Sequence, residues 1–186
     1  MSSDALQTAL LSDAAGRPIA MAGRIRPVWR GAGFAGPALT VRTVPGEHPA
    51  VLRALEEAQA GVVIVVDGVG YLERALWGGR LSSLARERGV AGVVIDGAVR
   101  DVAEIEELRF PVFAAGVAPT PPIREGGSGE TGISIACGGI AVSPGDLVVG
   151  DEDGVVVVPR NEVDELVTRA RELDAVERRW PPPRQK

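Results

Sequence analysis

The sequence predicts an α/β fold with a parallel, layered core. Residues 62–66 (VVIVV) and 90–95 (VAGVVI) are nearly unbroken aliphatic runs, the character of strands covered on both faces. Segments of helical periodicity alternate with such runs, and strand–helix–strand alternation builds a parallel sheet. The 24 Gly and 14 Pro, with 45% hydrophobic but only 4% aromatic residues, describe short buried strands joined by many tight turns. A length of 186 residues suits one domain, assigned here to residues 1–180, with 181–186 as a disordered tail.

Residues 3–15 read as a helix capped by Ser3 or Asp4, with Leu6, Leu10 and Leu11 as its apolar stripe. Residues 34–43 read as a strand closed by Pro45-Gly46. His48-Pro49 leads into a helix over 50–58, with Val51, Leu52 and Leu55 on one face and Gly61 as its stop. Asp67-Gly68 follows the strand at 62–66. Residues 71–77 are expected to begin a helix, and Gly78-Gly79 to open a second over 80–88. Asp96-Gly97 follows the strand at 90–95, and residues 99–108 are helical, with Val102, Ile105 and Leu108 on one face. Residues 111–115 form a third strand.

Residues 118–131, punctuated by Pro119, Pro121, Pro122, Gly126, Gly127 and Gly129, read as an extended surface loop. Short strands at 133–136, 140–142, 147–149 and 155–158 follow. The turn pairs Gly138-Gly139, Pro144-Gly145 and Asp153-Gly154 separate them, which suggests a meander or small barrel. Residues 161–179 form a charged amphipathic helix, ended by Pro181 to Pro183.

Charge and composition exclude several functions. The net charge is −5, and Lys186 is the single lysine, so nearly all positive charge is arginine. Arginine grips carboxylates with a rigid fork, whereas an acidic chain without a basic block is a poor nucleic-acid binder. One cysteine, Cys137, and one histidine, His48, exclude an intramolecular disulfide and a Cys/His zinc cluster. A metal would therefore be held by oxygen, which favours Mg²⁺, Mn²⁺ or Ca²⁺. The N-terminal stretch lacks a signal-peptide pattern and no window approaches ~20 apolar residues, so a cytoplasmic protein without membrane association is expected.

In α/β layers ligands bind beyond the carboxyl ends of the strands. Three features are expected to converge there: Asp67-Gly68, Gly78-Gly79, and residues 96–101 (DGAVRD). A glycine pair at a helix N-terminus lets an anion approach free N–H groups, although taken alone such a pair is more often only a turn. Arg100 would grip a carboxylate and Asp101 a hard cation, although spacing alone slightly favours a surface ion pair and a helix-dipole partner. Cys137 reads as a small buried residue and His48 as an exposed turn residue. Trp77 either walls a pocket or fills the core. Asp151 and Asp153 lack the rest of a calcium loop, so Asp153-Gly154 reads as a hairpin turn.

The segments 75–79 (ALWGG), 88–101 (RGVAGVVIDGAVRD) and 110–114 (FPVFA) closely resemble the RraA-like family, which includes class II 4-hydroxy-4-methyl-2-oxoglutarate/4-carboxy-4-hydroxy-2-oxoadipate aldolases. The similarity extends to 12–14 (SDA), 36–41 (GPALTV), 65–68 (VVDG) and 144–159 (PGDLVVGDEDGVVVVP), and spans about residues 8–175. It implies a three-layer β/β/α swivelling-domain fold with a C-terminal helix. It also implies a homotrimer or hexamer with active sites between subunits, and an Mg²⁺ or Mn²⁺ cofactor. Members of the aldolase type cleave a hydroxylated 2-oxo diacid to pyruvate and a second 2-oxo acid, and decarboxylate oxaloacetate.

Carried over by position, Arg100 and Asp101 are the catalytic pair. Arg100 would bind the 2-oxo and carboxylate oxygens, and Asp101 would anchor the metal. Leu76, Trp77, Gly78 and Gly79 form the loop whose amides cradle the pyruvyl carboxylate. An acidic residue that orders metal-bound water in the aldolases falls on Gly79, which has no side chain. Glu172, Asp174 and Glu177 lie in the stretch from which a neighbouring subunit supplies a further acid, though none aligns with it. The expected function is a metal-dependent carbon–carbon lyase acting on a small 2-oxo acid. The alternatives are a non-catalytic protein that inhibits ribonuclease E, and a related enzyme with another substrate.

Overall fold

The computed structural model describes residues 6–179. The expected caps Ser3 and Asp4 and the tail 181–186 lie outside the described residues. Helix α1 (Thr8–Ala15) starts after Gln7 and ends at Gly16, which takes the left-handed conformation common after a helix.

The sheet contains β1 (Arg26–Pro27), β2 (Phe34–Arg42), β3 (Val63–Trp77), β4 (Gly92–Val99), β5 (Val112–Val117), β6 (Glu130–Thr131), β9 (Leu147–Asp151) and β10 (Gly154–Val158). The main order is β1-β5-β4-β3-β2-β9-β10, and β6 pairs with β2. Strands β2, β3, β4 and β5 run parallel, as alternation predicts, and antiparallel strands flank them on both sides. The hairpin of β7 (Ile135–Cys137) and β8 (Ile140–Val142) stands apart from this sheet.

The parallel strands are apolar at successive positions because both faces are covered. Ile64, Val66, Val93 and Ile95 join one core with α2 (Pro49–Glu57), α3 (Gly79–Glu87) and α4 (Val102–Glu107). Val63, Val65 and Val94 join a second core with Phe34, Phe113 and the β7–β8 hairpin. Helices, sheet and hairpin thus stack as three layers. Phe34 and Phe113 meet edge to face, with centroids 5.1 Å apart. Helix α1 and the C-terminal α5 (Val163–Glu177) pack on β9 and β10 through Leu10, Leu11, Leu166, Val167 and Ala170.

Three expectations are corrected. Residues 71–77 do not begin a helix; they extend β3 to Trp77, paired with β4 through register shifts after Asp67, Tyr71 and Ala75. Close strand approach explains this. A Cβ at Gly68 would lie 2.7 Å from both the Asp96 carbonyl oxygen and Leu76 Cδ1, so only glycine admits the neighbouring strand there.

Strand β4 also continues through Asp96-Gly97 to Val99, so Asp67 and Asp96 lie within strands rather than beyond their ends. Alternation then sends both side chains to the hairpin side of the sheet, opposite α2–α4. Asp96 accepts the Gly138 N–H at 2.9 Å and two contacts from Arg24 Nη2, at 2.9 and 3.0 Å. Asp67 sits near it, and burial pushes its carboxyl above the usual range. Cys137 is fully buried on this side, its thiol pushed well above its ordinary value, chiefly by burial.

The third correction concerns the last four strands. They form no separate barrel, since β9 and β10 extend the main sheet through β2.

Candidate active site

The two parallel strands β3 and β4 end beside each other, at Trp77 and Val99. Immediately beyond them the chain turns into α3 and α4. The backbone N–H of Arg100 donates to the Trp77 carbonyl at 3.0 Å, which locks the two turns together. The residues after both strands therefore face one another across a cavity of about 300 Å³. Leu76, Trp77, Gly78, Arg100 and Asp101 line it, with His48, Arg80 and Arg124.

Asp101 is held in the left-handed region, at φ 59°, a conformation that aspartate tolerates better than most side chains. Its Oδ2 accepts the Gly79 N–H at 3.2 Å and lies 3.5 Å from Arg100 Nε. Its other oxygen makes no hydrogen bond among the described residues. The guanidinium Nη groups of Arg100 likewise have no acceptor among them. Both side chains are about one-third to two-fifths exposed, at 34% and 41%. The pair is thus anchored on one side and open to a ligand on the other.

Helix α3 begins without a side-chain cap. Asp101 takes the Gly79 N–H, whereas the N–H groups of Arg80 and Leu81 precede the first intrahelical acceptors and point out of the first turn. Their partial positive charge adds to that of Arg80, Arg100 and Arg124. A cavity bearing three arginines and one carboxylate is suited to an anion with more than one negative oxygen cluster.

Gly78 is extended, at φ −165°, so any residue suits its backbone. Its constraint is steric: a Cβ there would stand 2.5 Å from Asp101 Oδ2 and 3.1 Å from Arg100 Cγ. Gly78→Ala is therefore expected to displace the pair and weaken binding of a small carboxylate such as pyruvate in the cavity by about 10²-fold. The thermal midpoint should move by less than the equivalent of about 1 kcal/mol. Paired binding titrations and melting curves check this.

Gly79 is buried and does not line the cavity. A Cβ there would collide with the Glu104 carboxylate, a side chain of α4's first turn. The space next to position 79 thus holds an acid supplied by another element. Trp77 is a core residue: its indole is 2% exposed, stacks on Phe110 at 6.5 Å and donates to Ser82 Oγ at 2.8 Å. Its wall of the cavity rests on that packing.

Three cavity residues, Arg124, Arg80 and His48, are not among those the sequence places at the site. The 118–131 loop is pinned over the cavity by the Ala75 N–H on the Thr120 carbonyl, Arg74 Nη1 on the Pro121 carbonyl, and the His48 N–H on the Ile123 carbonyl. This brings Arg124 to the site, although nothing in the loop's composition pointed there. Arg80 arrives simply as the residue after the glycine pair. His48, expected in an exposed turn, is half-buried at the start of α2. Burial, then the charges of Arg124 and Arg100, hold its imidazole below the ordinary value, so it is neutral at pH 7.

A larger hollow of about 540 Å³ lies between β2, β9 and α5, lined by Phe34, Gly36, Leu147 and Val167 among others. Its charged lining residues are the acids Asp151 and Glu152, with no arginine among them. Among the described residues, no group of three or more His, Cys, Asp or Glu could hold a metal. No described helix is long and apolar enough to cross a membrane.

Comparison with known proteins places this geometry in context. The family model RraA-like, described as Aldolase/RraA, matches residues 8–157. A 4-hydroxy-4-methyl-2-oxoglutarate aldolase of Thermus thermophilus is 41% identical over 126 residues, covering 68% of this chain and 76% of the relative. The solved structure of the RNA-processing inhibitor RraA from the same species superposes with a TM-score of 0.75 at 38% identity, covering 83% and 93% of the two chains. Streptomyces coelicolor RraAS2, described as an unusual member of the RNase ES inhibitor RraA family, gives a TM-score of 0.81 at 28% identity over 95% and 92%.

Proposed function

The chain belongs to the RraA-like family, and on that premise we propose that it is a divalent-metal-dependent lyase that forms pyruvate from a 2-oxo acid. The reaction is retro-aldol cleavage of a hydroxylated 2-oxo acid, or decarboxylation of oxaloacetate. The observation that carries this reading is the open face of Arg100 and Asp101 on a cation-rich cavity beside the start of α3, where the Arg80 and Leu81 N–H groups have no side-chain acceptor among the described residues.

A hard cation in this cavity would have Asp101 as its one carboxylate donor among the described residues. Asp101 offers one unengaged carboxylate oxygen, and Mg²⁺ is commonly held by one or two carboxylates with water and substrate completing its shell. When bound there, Mg²⁺ or Mn²⁺ would supply Lewis-acid charge at the 2-oxo oxygen. Arg100 grips the substrate carboxylate through its Nη groups and stabilises the negative charge that develops as the bond breaks. The Arg80 and Leu81 amides hold the same end of the substrate, so the scissile bond is oriented before it reacts. Leu76 and Trp77 close the wall behind it and exclude water. Arg80 and Arg124 receive the second carboxylate of a diacid.

The functional unit in this reading is a homotrimer or hexamer. Exposed apolar residues such as Leu72 and Val117, 42% and 64% exposed, are surfaces that such an assembly would cover. Pyruvate release from oxaloacetate and from hydroxylated 2-oxoglutarates, with and without Mg²⁺ or Mn²⁺, tests the proposal. Metal-dependent turnover of at least one of them is expected. Failure of all in the assembled oligomer would refute it.

Similarity to the RNA-processing inhibitor supports a second reading, in which an acidic surface covers a basic ribonuclease. Retention of ribonuclease E on the immobilised protein would favour it. Indifference of that retention to Asp101→Asn would separate it from the lyase site.

A further inference from the structure

We propose that His48 is the proton carrier of the lyase site. The inference rests on the function proposed above and assigns that site a catalytic residue. Four observations support it.

His48 is the chain's single histidine, and it lines the same 300 Å³ cavity as Arg100 and Asp101. A ligand gripped by Arg100 in this cavity shares it with His48, Leu52 and Arg124, which line it too. Next, its side chain has no structural task. Although His48 is the N-cap residue of α2, the imidazole makes no capping hydrogen bond, and no side-chain hydrogen bond among the described residues uses it.

Its position is nonetheless fixed. Its N–H donates to the Ile123 carbonyl at 3.0 Å, and its carbonyl accepts the Leu52 N–H at 3.2 Å. The ring is thus carried by rigid backbone while its nitrogens remain open to a ligand. Finally, the charged groups sharing the cavity are Arg80 from α3, Arg100 and Asp101 from the β4–α4 junction, and Arg124 from the covering loop. Burial first, and then the charges of Arg124 and Arg100, favour the neutral imidazole, the form that accepts a proton.

The step balances without another reagent. In the cleavage direction the imidazole takes the proton from the substrate's C4 hydroxyl. The O–H electron pair becomes the carbonyl of the departing product, and the C3–C4 pair moves into the pyruvate enolate. The imidazolium then returns its proton to C3, giving the methyl group of pyruvate. Arginines remain protonated throughout and cannot serve in this role.

The most direct probe is exchange of pyruvate's methyl protons with D₂O, followed by ¹H NMR on the Mg²⁺-loaded wild-type protein and on His48→Asn. Exchange in His48→Asn is expected to fall about 10²-fold, with pyruvate affinity within a few-fold of wild type. Exchange at the wild-type rate in His48→Asn would overturn the proposal while leaving the lyase function standing. No exchange and no turnover in wild type would overturn both.

A second measurement does not depend on the variant folding. A lone histidine gives a single imidazole spin system. On wild type, its resonances should shift, and its titration move, when oxalate is added with Mg²⁺ as an enolate mimic. Resonances unmoved at saturating oxalate would show that His48 does not touch the ligand, and the proposal would fail.

Discussion

Asp101→Asn is expected to lower metal-dependent turnover by about 10³-fold or more while leaving the fold intact. The substitution is almost isosteric. Asparagine still accepts the Gly79 N–H, and it tolerates φ near 59° as well as aspartate does. The side chain is 41% exposed, so removing its charge costs stability no more than about 0.5 kcal/mol. What disappears is the one carboxylate that the cavity offers a hard cation, and with it several kcal/mol of charge stabilisation in the transition state. Pyruvate release and Mn²⁺ binding measured on the same preparation check this. Wild-type turnover in Asp101→Asn would remove Asp101 from the mechanism. In contrast, loss of turnover with unchanged Mn²⁺ affinity would assign Asp101 to substrate positioning.

The largest expected effect on stability is at Asp96, on the other face of the sheet. Its side chain is 7% exposed and serves two partners, Arg24 and the Gly138 N–H. It thereby ties the loop before β1 and the β7–β8 turn to the central strand β4. Asp96→Ala leaves the Gly138 N–H buried without an acceptor and is expected to cost about 3 kcal/mol. That corresponds to a drop in thermal midpoint of roughly 6–12 °C, read at fixed protein concentration because assembly also stabilises. Asp96→Asn keeps an acceptor for Gly138 and loses only the charge facing the half-exposed Arg24. It should cost about 1 kcal/mol. Equal losses for the two variants would contradict this division of roles. Turnover of the folded fraction should survive both, because Asp96 does not line the cavity.

Much of the architecture was legible because burial on both faces leaves a plain mark. The aliphatic runs in β3 and β4 could only be central strands, and Gly78-Gly79 marked the start of α3. The extension of β3 to Trp77 left no such mark. Its outer half crosses irregular pairing, so the alternation of residues 67–75 is broken by bulges rather than absent. That irregularity also misplaced Asp67 and Asp96: each precedes a glycine and resembles the end of a strand, yet pairing continues past both.

The lining of the candidate site was legible where one short segment carries it, as at Arg100-Asp101 and Leu76 to Gly78. It was not legible where distant segments meet. Arg124 reaches the cavity only because backbone hydrogen bonds from β3 and His48 fasten its loop there. Glu104 fills the space beside Gly79 because α4's first turn packs next to the start of α3. A side chain at position 79 would collide with the Glu104 carboxylate, which itself does not line the cavity.

In the proposed function, Asp101, Arg100 and the start of α3 form one site for a cation and a 2-oxo acid. Crystals soaked with Mn²⁺ and pyruvate test it most directly. The expected result is an anomalous peak roughly 2.2 Å from an Asp101 carboxylate oxygen, with the pyruvate carboxylate on Arg100 and the first-turn amides of α3. Mn²⁺ bound away from Asp101, or pyruvate bound outside the cavity, would contradict it.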